Sequence, residues 1–558
     1  MPRRTPRHRG AVLLILVAVV AASAIPGGAA AQTQVGLAAA QARYNALKAT
    51  AKPEGDLRRE IDAIDKALAE AMRLGHLGEA MRLLARGAVR LSGQPWTDVI
   101  DYASSVALRA DRLLVDPSTP YTVRVEQIYA PSLAPSAPLT AHVTLHRPPK
   151  AGATGLEARG ALVKDLGTFG GVPRDLRASP FRFDPNLAGL TDGRYVVEVE
   201  ILDSEALIAL RGLMIEVKKG LDARLANLEA GLARVKSDLA EAFGVDVRYP
   251  ADFIRKVNQG LVERGEFDVG RELAEAEDVL RSLERGRDPF ARRTGDFKRH
   301  YFFADAGEIM PYHLYVPSGY TGRKPLPLII VLHGRGGDED LFFTLKALPM
   351  LAEERGYLIA APLGYRVDGR YGAGTTEDTA VRRKRALSEA DVMNVLDLVR
   401  KQYRVDDDRI YLLGHSMGAA GAWHLGQKFP DRWAALACFS GSGAPEAEAR
   451  MKDIPQFVVH GDADAGVPVS TSRAMVAEMK RLGVVHKYIE VRGGDHGSVV
   501  EPNLAAAFDF FDRYRRKKQS ERQPEAGACA PWVPLPSGST WGAGRHTPAA
   551  VQDGSSAS

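Results

Sequence analysis

Arg409-Ile410-Tyr411-Leu412-Leu413-Gly414-His415-Ser416-Met417-Gly418-Ala419-Ala420-Gly421-Ala422-Trp423-His424-Leu425 is the stretch that decides how this chain folds. Its first five residues read as a buried strand and its last seven as a helix. Between them, Gly414-His415-Ser416-Met417-Gly418 reads as a tight turn that lifts a serine hydroxyl out of a strained bend, above a sheet edge. One glycine lets the backbone take the sharp turn, and the other lets the helix lie close to the strand. A bare Gly-x-Ser-x-Gly arises often by chance, so the weight rests on its flanks and on the partners it finds elsewhere.

A serine hydroxyl is a poor nucleophile at its free pKa; it needs a base, and an acid to orient that base. With a strand–turn–helix nucleophile the expected order is Ser, then Asp or Glu, then His. Downstream, Phe457-Val458-Val459-His460-Gly461-Asp462-Ala463-Asp464 reads as a buried strand ending in an acidic turn. A helix over about 472–482 follows. Then comes the strand His486-Lys487-Tyr488-Ile489-Glu490-Val491, ending in Gly493-Gly494-Asp495-His496-Gly497. Parallel sheets gather such carboxyl-end loops into one crevice. His496 is the expected base and Asp464 the expected acid. Asp462 competes with Asp464, an Asx turn suiting whichever is not used; Asp495, next to the base in sequence, is expected to point elsewhere. The oxyanion needs donors too. One is expected from the N–H of Met417. The other is placed at Arg335, with Gly334 as the alternative, in the loop His333-Gly334-Arg335-Gly336-Gly337 after the apolar strand Leu328–Leu332. A glycine turn of purely structural purpose is the bland reading of that loop.

Several motifs together carry a family resemblance. They are His333-Gly-Arg-Gly-Gly, Ser388-Glu389-Ala390-Asp391-Val392 opening a helix, Tyr403-Arg404-Val405-Asp406 with Arg409-Ile410-Tyr411, and the nucleophile turn. His460-Gly-Asp-Ala-Asp-Ala-Gly-Val-Pro-Val469 and Gly493-Gly-Asp-His-Gly497 complete the set. Residues 297–516 resemble the α/β-hydrolase superfamily. The greatest similarity is to bacterial secreted esterases related to polyhydroxybutyrate depolymerases and to feruloyl or acetyl-xylan esterases. These share their catalytic fold with the prolyl oligopeptidase family. The resemblance implies a doubly wound, mostly parallel α/β sheet and an acyl-enzyme on Ser416 with Asp464 and His496. It implies no metal and no organic cofactor. Prolyl oligopeptidases proper carry a β-propeller, and the residues ahead of 297 show no blade-length repeat.

The first 31 residues read as an export leader: Arg3, Arg4, Arg7 and Arg9, an apolar core over 11–25, Pro26-Gly27-Gly28, and Ala29-Ala30-Ala31 before a cleavage at Gln32. The apolar core is short for a membrane span. No second long apolar run follows, so a periplasmic or secreted protein without a stable span is expected. The formal net charge of +5 falls to +1 once the four leader arginines are removed, which excludes a strongly basic nucleic-acid binder. Of two cysteines, Cys438 reads as a buried core thiol and Cys529 falls in a Pro/Gly/Ser-rich tail from about 517, expected to be disordered.

The N-terminal half reads as three parts. Leu57, Ile61, Ile64, Leu68 and Met72 mark a helical region over 32–118. Tyr121, Val123 and Val125 alternate with polar residues, as do Leu139–Leu145 and Tyr195–Ile201, predicting a small antiparallel β-sandwich over 119–219. Leu221, Leu225, Leu228, Leu232, Val235 and Leu239 keep a seven-residue repeat in a helical hairpin or linker over 220–292, with a second helix near 269–283. Bracing the sandwich is the plain reading of that stripe; a homodimer contact is the sharper one.

The short connection between Phe439 and Phe457 leaves no room for a large helical cap, which favours an open site for bulky, polymeric or polysaccharide-linked esters. Specificity is expected in a loop over 364–388, with Arg366 and Arg370 as substrate-binding residues that could meet an anionic group, a uronate or a phosphate. Two other classes stay open: a serine peptidase, and a cell-envelope or polysaccharide-binding protein on a residual hydrolase scaffold.

Overall fold

The chain, seen in a computed structural model that describes residues 29–135, 138–150, 159–262 and 267–516, opens with three helices. They are α1 (Ala29–Ala51), α2 (Gly55–Arg73) and α3 (Leu77–Leu91). Ile61, Ile64 and Leu68 of the apolar stripe are buried between them with Leu84 and Tyr44, while Met72 is exposed. The Tyr44 hydroxyl donates to Asp65 at 2.8 Å. Residues 1–28 of the expected leader, and the expected tail with Cys529, lie outside the described residues; Cys438 is a buried free thiol.

Helix α4 (Asp98–Ser105), whose Thr97 cap accepts from the Ile100 N–H at 3.3 Å, runs straight into a β-sandwich. One sheet joins β1 (Val106–Ala110), β3 (Val123–Gln127) and β6 (Phe181–Phe183). The other runs β2 (Leu114–Val115), β8 (Ala206–Val217), β7 (Gly193–Asp203), β4 (Leu139–His146), β5 (Leu162–Val172). The alternating Val123/Val125, Leu139/Ala141/Val143/Leu145 and Tyr195/Val197/Val199/Ile201 are all buried, one face of each strand turned inward. Each large aliphatic side chain sealed there contributes roughly 1.5–3 kcal/mol. The first strand begins at Val106, earlier than the expected 119: Val106 and Leu108 pair with Gln127 and Val125 directly after α4, with no turn residue to announce them.

The leucine repeat does not form one long helix. Helix α5 (Leu221–Leu232) ends, Lys236 takes extended backbone, and α6 (Ser237–Asn258) starts afresh; α7 (Val269–Glu284) packs against both. Three helices therefore stand where a hairpin was expected. Leu221, Leu228 and Leu232 are buried in this chain's own core, and Leu225, Val235 and Leu239 pack against it partly buried.

The C-terminal half is built on eight strands: β9 (Gly295–Phe303), β10 (Glu308–Val316), β11 (Leu326–Leu332), β12 (Leu358–Pro362), β13 (Val405–His415), β14 (Ala435–Phe439), β15 (Gln456–Gly461) and β16 (His486–Val491). Their spatial order is β9-β10-β12-β11-β13-β14-β15-β16. β10 is antiparallel to both its neighbours and every other pair is parallel. Parallel crossovers put helices on both faces, so β11, β12, β14 and β15 are nearly continuous apolar runs. Helices α9 (Thr379–Gln402), α10 (Met417–Lys428) and α11 (Ser470–Leu482) cover one face. Helices α8 (Ala347–Arg355) and α12 (Val500–Phe511) cover the other.

The helix expected to open at Ser388 opens instead at Thr379. Asp378 caps it, its Oδ1 accepting from the Ala380 and Val381 N–H groups at 2.8 and 3.0 Å. Arg382 to Arg385 thus stand on its first turns and not on a loop.

The two halves meet at a buried ion cluster. Lys298 on β9 reaches Glu272 of α7 at 3.1 Å, Glu339 at 2.9 Å and Asp340 at 2.8 Å; Arg271 of α7 also reaches Asp340, at 2.9 Å. Glu339 and Asp340 lie just past the glycine-rich loop that follows β11.

Candidate active site

Strand β13 delivers the chain to Ser416 and α10 carries it away. Ser416 itself sits at φ 55°, ψ −114°, a strained conformation for a residue with a side chain. The turn is held from both sides. The Ser416 N–H donates to the Phe439 carbonyl at 2.8 Å. A Cβ on Gly414 would stand 2.2 Å from the Gly418 carbonyl oxygen, and one on Gly418 would stand 1.9 Å from that of Leu332. Only glycine lets strand and helix cross this closely.

Three residues from three loops converge. Ser416 Oγ lies 2.8 Å from His496 Nε2, and His496 Nδ1 lies 2.7 Å from Asp464 Oδ2. A carboxylate can only accept, so it places the imidazole proton on Nδ1 and leaves Nε2 free to take the serine proton. The second carboxylate oxygen, Oδ1, accepts from the N–H groups of Gly466 and Val467, both at 2.8 Å. Burial alone would push this carboxyl up; the Val467 N–H, the His496 ring and the Gly466 N–H outweigh it and hold Asp464 below its ordinary value. Asp462 and Asp495 serve the loop backbone. Asp462 Oδ1 accepts from the Gly493 N–H at 2.6 Å, and Asp495 Oδ1 accepts from Gly497 and Ser498 at 3.0 and 2.8 Å.

Two histidines without an assigned role from sequence brace this chain. His460, fully buried, has Nε2 3.2 Å from Asp464 Oδ2 and Nδ1 2.7 Å from Ser472 Oγ. His415 Nε2 lies 2.8 Å from the His496 carbonyl, which fixes the base's own backbone; burial pulls its pKa down and keeps it a neutral donor. The signal for both was their place inside the two motifs already singled out, one residue before the nucleophile and four before the acid.

The two segments expected to supply oxyanion donors both lie beside Ser416. Met417 opens α10, where the first N–H groups have no partner within the helix. A Cβ on Gly334 would stand 3.5 Å from Ser416 Cβ, so the peptide joining Gly334 to Arg335 passes beside the nucleophile. That loop is pinned by Gly337 N–H to Gly334 O (3.1 Å), by Gly336 N–H to Val367 O (2.8 Å), and by His333, whose ring nitrogens stand 2.7 Å from the Gly334 and Leu363 carbonyls.

Arg366 is not a free substrate-binding group. Its Nη2 pairs with Glu308 at 2.7 Å, its Nη1 donates to the Tyr365 carbonyl at 2.7 Å, and its guanidinium lies 3.9 Å above the Tyr365 ring. Glu308 also meets Lys256 of α6 at 3.2 Å, so Arg366 belongs to the seam between the two halves. Arg370 has no such partner among the described residues and feels the charge of Arg335 in the glycine-rich loop.

The sheet order and the Ser–His–Asp chain define an α/β-hydrolase. Residues 305–552 match the family model described as "Putative esterase". The chain is 28% identical over 169 residues to a bifunctional acetylxylan esterase/xylanase of Neocallimastix patriciarum, covering 30% of this chain and 23% of that protein. It is 24% identical over 157 residues to feruloyl esterase B of Talaromyces stipitatus, covering 27% and 43%. The chain thus spans less than half the length of these two curated relatives. A solved ferulic acid esterase of Anaeromyces mucronatus is 18% identical, covers 38% of this chain and 87% of that one, and superposes with a TM-score of 0.33. The C-terminal half thus has an α/β-hydrolase fold and is similar in sequence to acetylxylan and feruloyl esterases.

Proposed function

We propose that this chain is an exported serine esterase that cleaves carboxylic esters through an acyl-enzyme on Ser416. The observation that carries the reading is the continuous chain Ser416 Oγ–His496–Asp464, at 2.8 and 2.7 Å. His496 Nε2 takes the Ser416 proton as Oγ bonds to the ester carbonyl carbon. The carbonyl oxygen becomes an oxyanion and accepts from the Met417 N–H and from a second N–H in the Gly334–Arg335 segment. Collapse breaks the C–O bond to the alcohol, which leaves with the proton from His496. Water, deprotonated by the same nitrogen, then attacks the acyl carbon; the acid departs and Ser416 regains its proton.

Access favours large substrates. The connection from β14 to β15 holds only a short turn of helix, Pro445–Met451, and His496 remains one-third exposed. Acetylxylan or a feruloyl ester, as in the names of the relatives, fits such an open site. Export rests on the basic and apolar character of residues 1–31. No helix among the described residues is long and apolar enough to cross a membrane. The test is hydrolysis of p-nitrophenyl acetate and methyl ferulate by the full chain beside Ser416→Ala. A loss of ~10⁴- to 10⁶-fold in kcat is expected; equal activity in the variant, or hydrolysis of peptides but of no ester, would end this reading.

A further inference from the structure

Around the glycine-rich loop after β11 stand three arginines that form no ion pair with a carboxylate among the described residues. Arg335 is in the oxyanion loop, Arg370 in the loop after β12, and Arg385 on the second turn of α9. Arg385 Nη1 and Arg370 Nη2 flank one point: they lie 3.4 and 3.7 Å from where a Cβ on Gly374 would be. Arg385 Nε and Nη1 are shielded from solvent yet donate to nothing among the described residues. A guanidinium N–H in that condition calls for an explanation. Burial first, and then the charges of Arg385 and Arg335, hold Arg370 below the ordinary arginine value, so the three feel each other's field. Of the nearby acids, Glu389 and Asp368 are held in close ion pairs and Glu377 is fully exposed. Glu389 binds His424 and Lys428, each at 2.6 Å; Asp368 binds Lys384 at 2.6 Å; Glu377 stands 4.0 Å from Arg382.

The backbone is strained to keep this arrangement. Arg370 and Tyr371 are consecutive non-glycine residues at positive φ, 64° and 51°. Tyr371 anchors the reversal: its ring is buried against Gly364 and Gly421, its N–H donates to Ser388 Oγ at 2.9 Å, and its hydroxyl donates to the His333 carbonyl at 3.4 Å. With Tyr371 turned in, Arg370 is turned out beside the oxyanion loop. Next to it opens a pocket of about 560 Å³ whose charged lining is Arg382, Arg385 and Lys428 with Glu377 and Glu389.

We propose that the ester substrate of this enzyme carries an anionic group, a carboxylate or a phosphate, held by Arg370 and Arg385 in the pocket beside the oxyanion loop. This rests on the esterase reading above. The unsatisfied in-plane donors of Arg385, with the Arg370 guanidinium close by across Gly374, suit a carboxylate or phosphate oxyanion. Neutral esters would reach Ser416 without that hold.

The test compares kcat/KM of the full chain on three acetate esters of like size: 4-acetoxybenzamide (neutral), 4-acetoxybenzoate (carboxylate) and 4-acetoxyphenyl phosphate. At least one anionic ester is expected to be preferred over the amide, and the better of the two tells carboxylate from phosphate. Arg385→Gln and, separately, Arg370→Gln should each reduce the anionic-to-neutral ratio about 10- to 100-fold, with Arg385→Lys recovering part of it. A ratio near one, or a high ratio that both glutamine variants keep, overturns the proposal while the esterase reading stands. If folded protein hydrolyses no ester, the esterase reading falls. Calorimetric binding of inorganic phosphate and benzoate to the Ser416→Ala protein and its Arg385→Gln derivative then decides: binding lost with Arg385 keeps the anion site, and no binding removes it.

Discussion

Replacing Asp464 by asparagine tests the site with almost no change of shape. The carboxylate accepts on both sides: Oδ2 from His496 at 2.7 Å, and Oδ1 from Gly466 and Val467 at 2.8 Å. An amide has one oxygen and one NH₂. If its oxygen faces the two backbone N–H groups, its NH₂ faces His496 and drives the imidazole proton from Nδ1 to Nε2. The base then presents N–H to Ser416 Oγ and can no longer take its proton. If the amide flips, the NH₂ points at two backbone donors and leaves them unpaired, a cost of about 1–3 kcal/mol each. The first arrangement is cheaper, so a folded protein with the wrong tautomer is expected. The corresponding change in a serine protease lowers kcat about 10⁴-fold, roughly 5.4 kcal/mol at 1.36 kcal/mol per tenfold. The assay is kcat on p-nitrophenyl acetate for Asp464→Asn and Asp462→Asn, each with its thermal midpoint. Retention of more than a tenth of the activity by Asp464→Asn, or a larger loss in Asp462→Asn, would refute the reasoning.

Three further outcomes follow from packing and charge. Lys298→Met takes the lysine from Glu272, Glu339 and Asp340; Arg271 still reaches Glu272 and Asp340, but buried Glu339 loses its cation, and that loss is expected to cost ~3–5 kcal/mol, read as a lowered urea midpoint at pH 7. Glu448 is buried and bonded to Gln456, and burial raises its pKa to about 8. Its folded value exceeds the unfolded one, so the native state holds the extra proton and stability falls as pH rises from about 4.5 to 8. Glu448→Gln should flatten that fall, and an unchanged slope in urea titrations across that range would count against the assignment. Gly418→Ala sets a Cβ against the Leu332 carbonyl, which is rigid backbone, and should cost about 3 kcal/mol or more; a variant with unaltered melting would mean that α10 can move away from β11.

What was legible in the sequence was what is local. The nucleophile turn, the apolar strands around it and the loops bearing His496 and Asp464 each announce themselves within about ten residues, and parallel pairing does the rest. The sandwich strands were legible for the same reason, through period-two alternation. Misreadings arose where a distant partner decides. Arg366 reads as a free loop cation until Glu308, far away in sequence, lies beside it. The start of α9 was missed because its cap, Asp378, lies ten residues ahead of the motif that drew attention to Ser388. The heptad pattern after Leu221 continues through the break at Lys236, since spacing does not register a change in backbone angle. Arg385 could be seen only as part of a charge run; that its Nε and Nη1 meet no acceptor among the described residues is a property of three dimensions.

The ion cluster around Lys298 bears on how such a chain can evolve. In many modular proteins an accessory domain can be exchanged by recombination while the chemistry stays intact. Here a crossover just ahead of residue 293 would carry away Glu272 and Arg271, leaving Lys298 and Asp340 short of partners a few residues from the loop that receives the oxyanion. An incoming module would have to supply an acid and a base at the same two places on a helix. Exchange of the N-terminal half would leave this ion cluster intact only if the new module kept those two contacts.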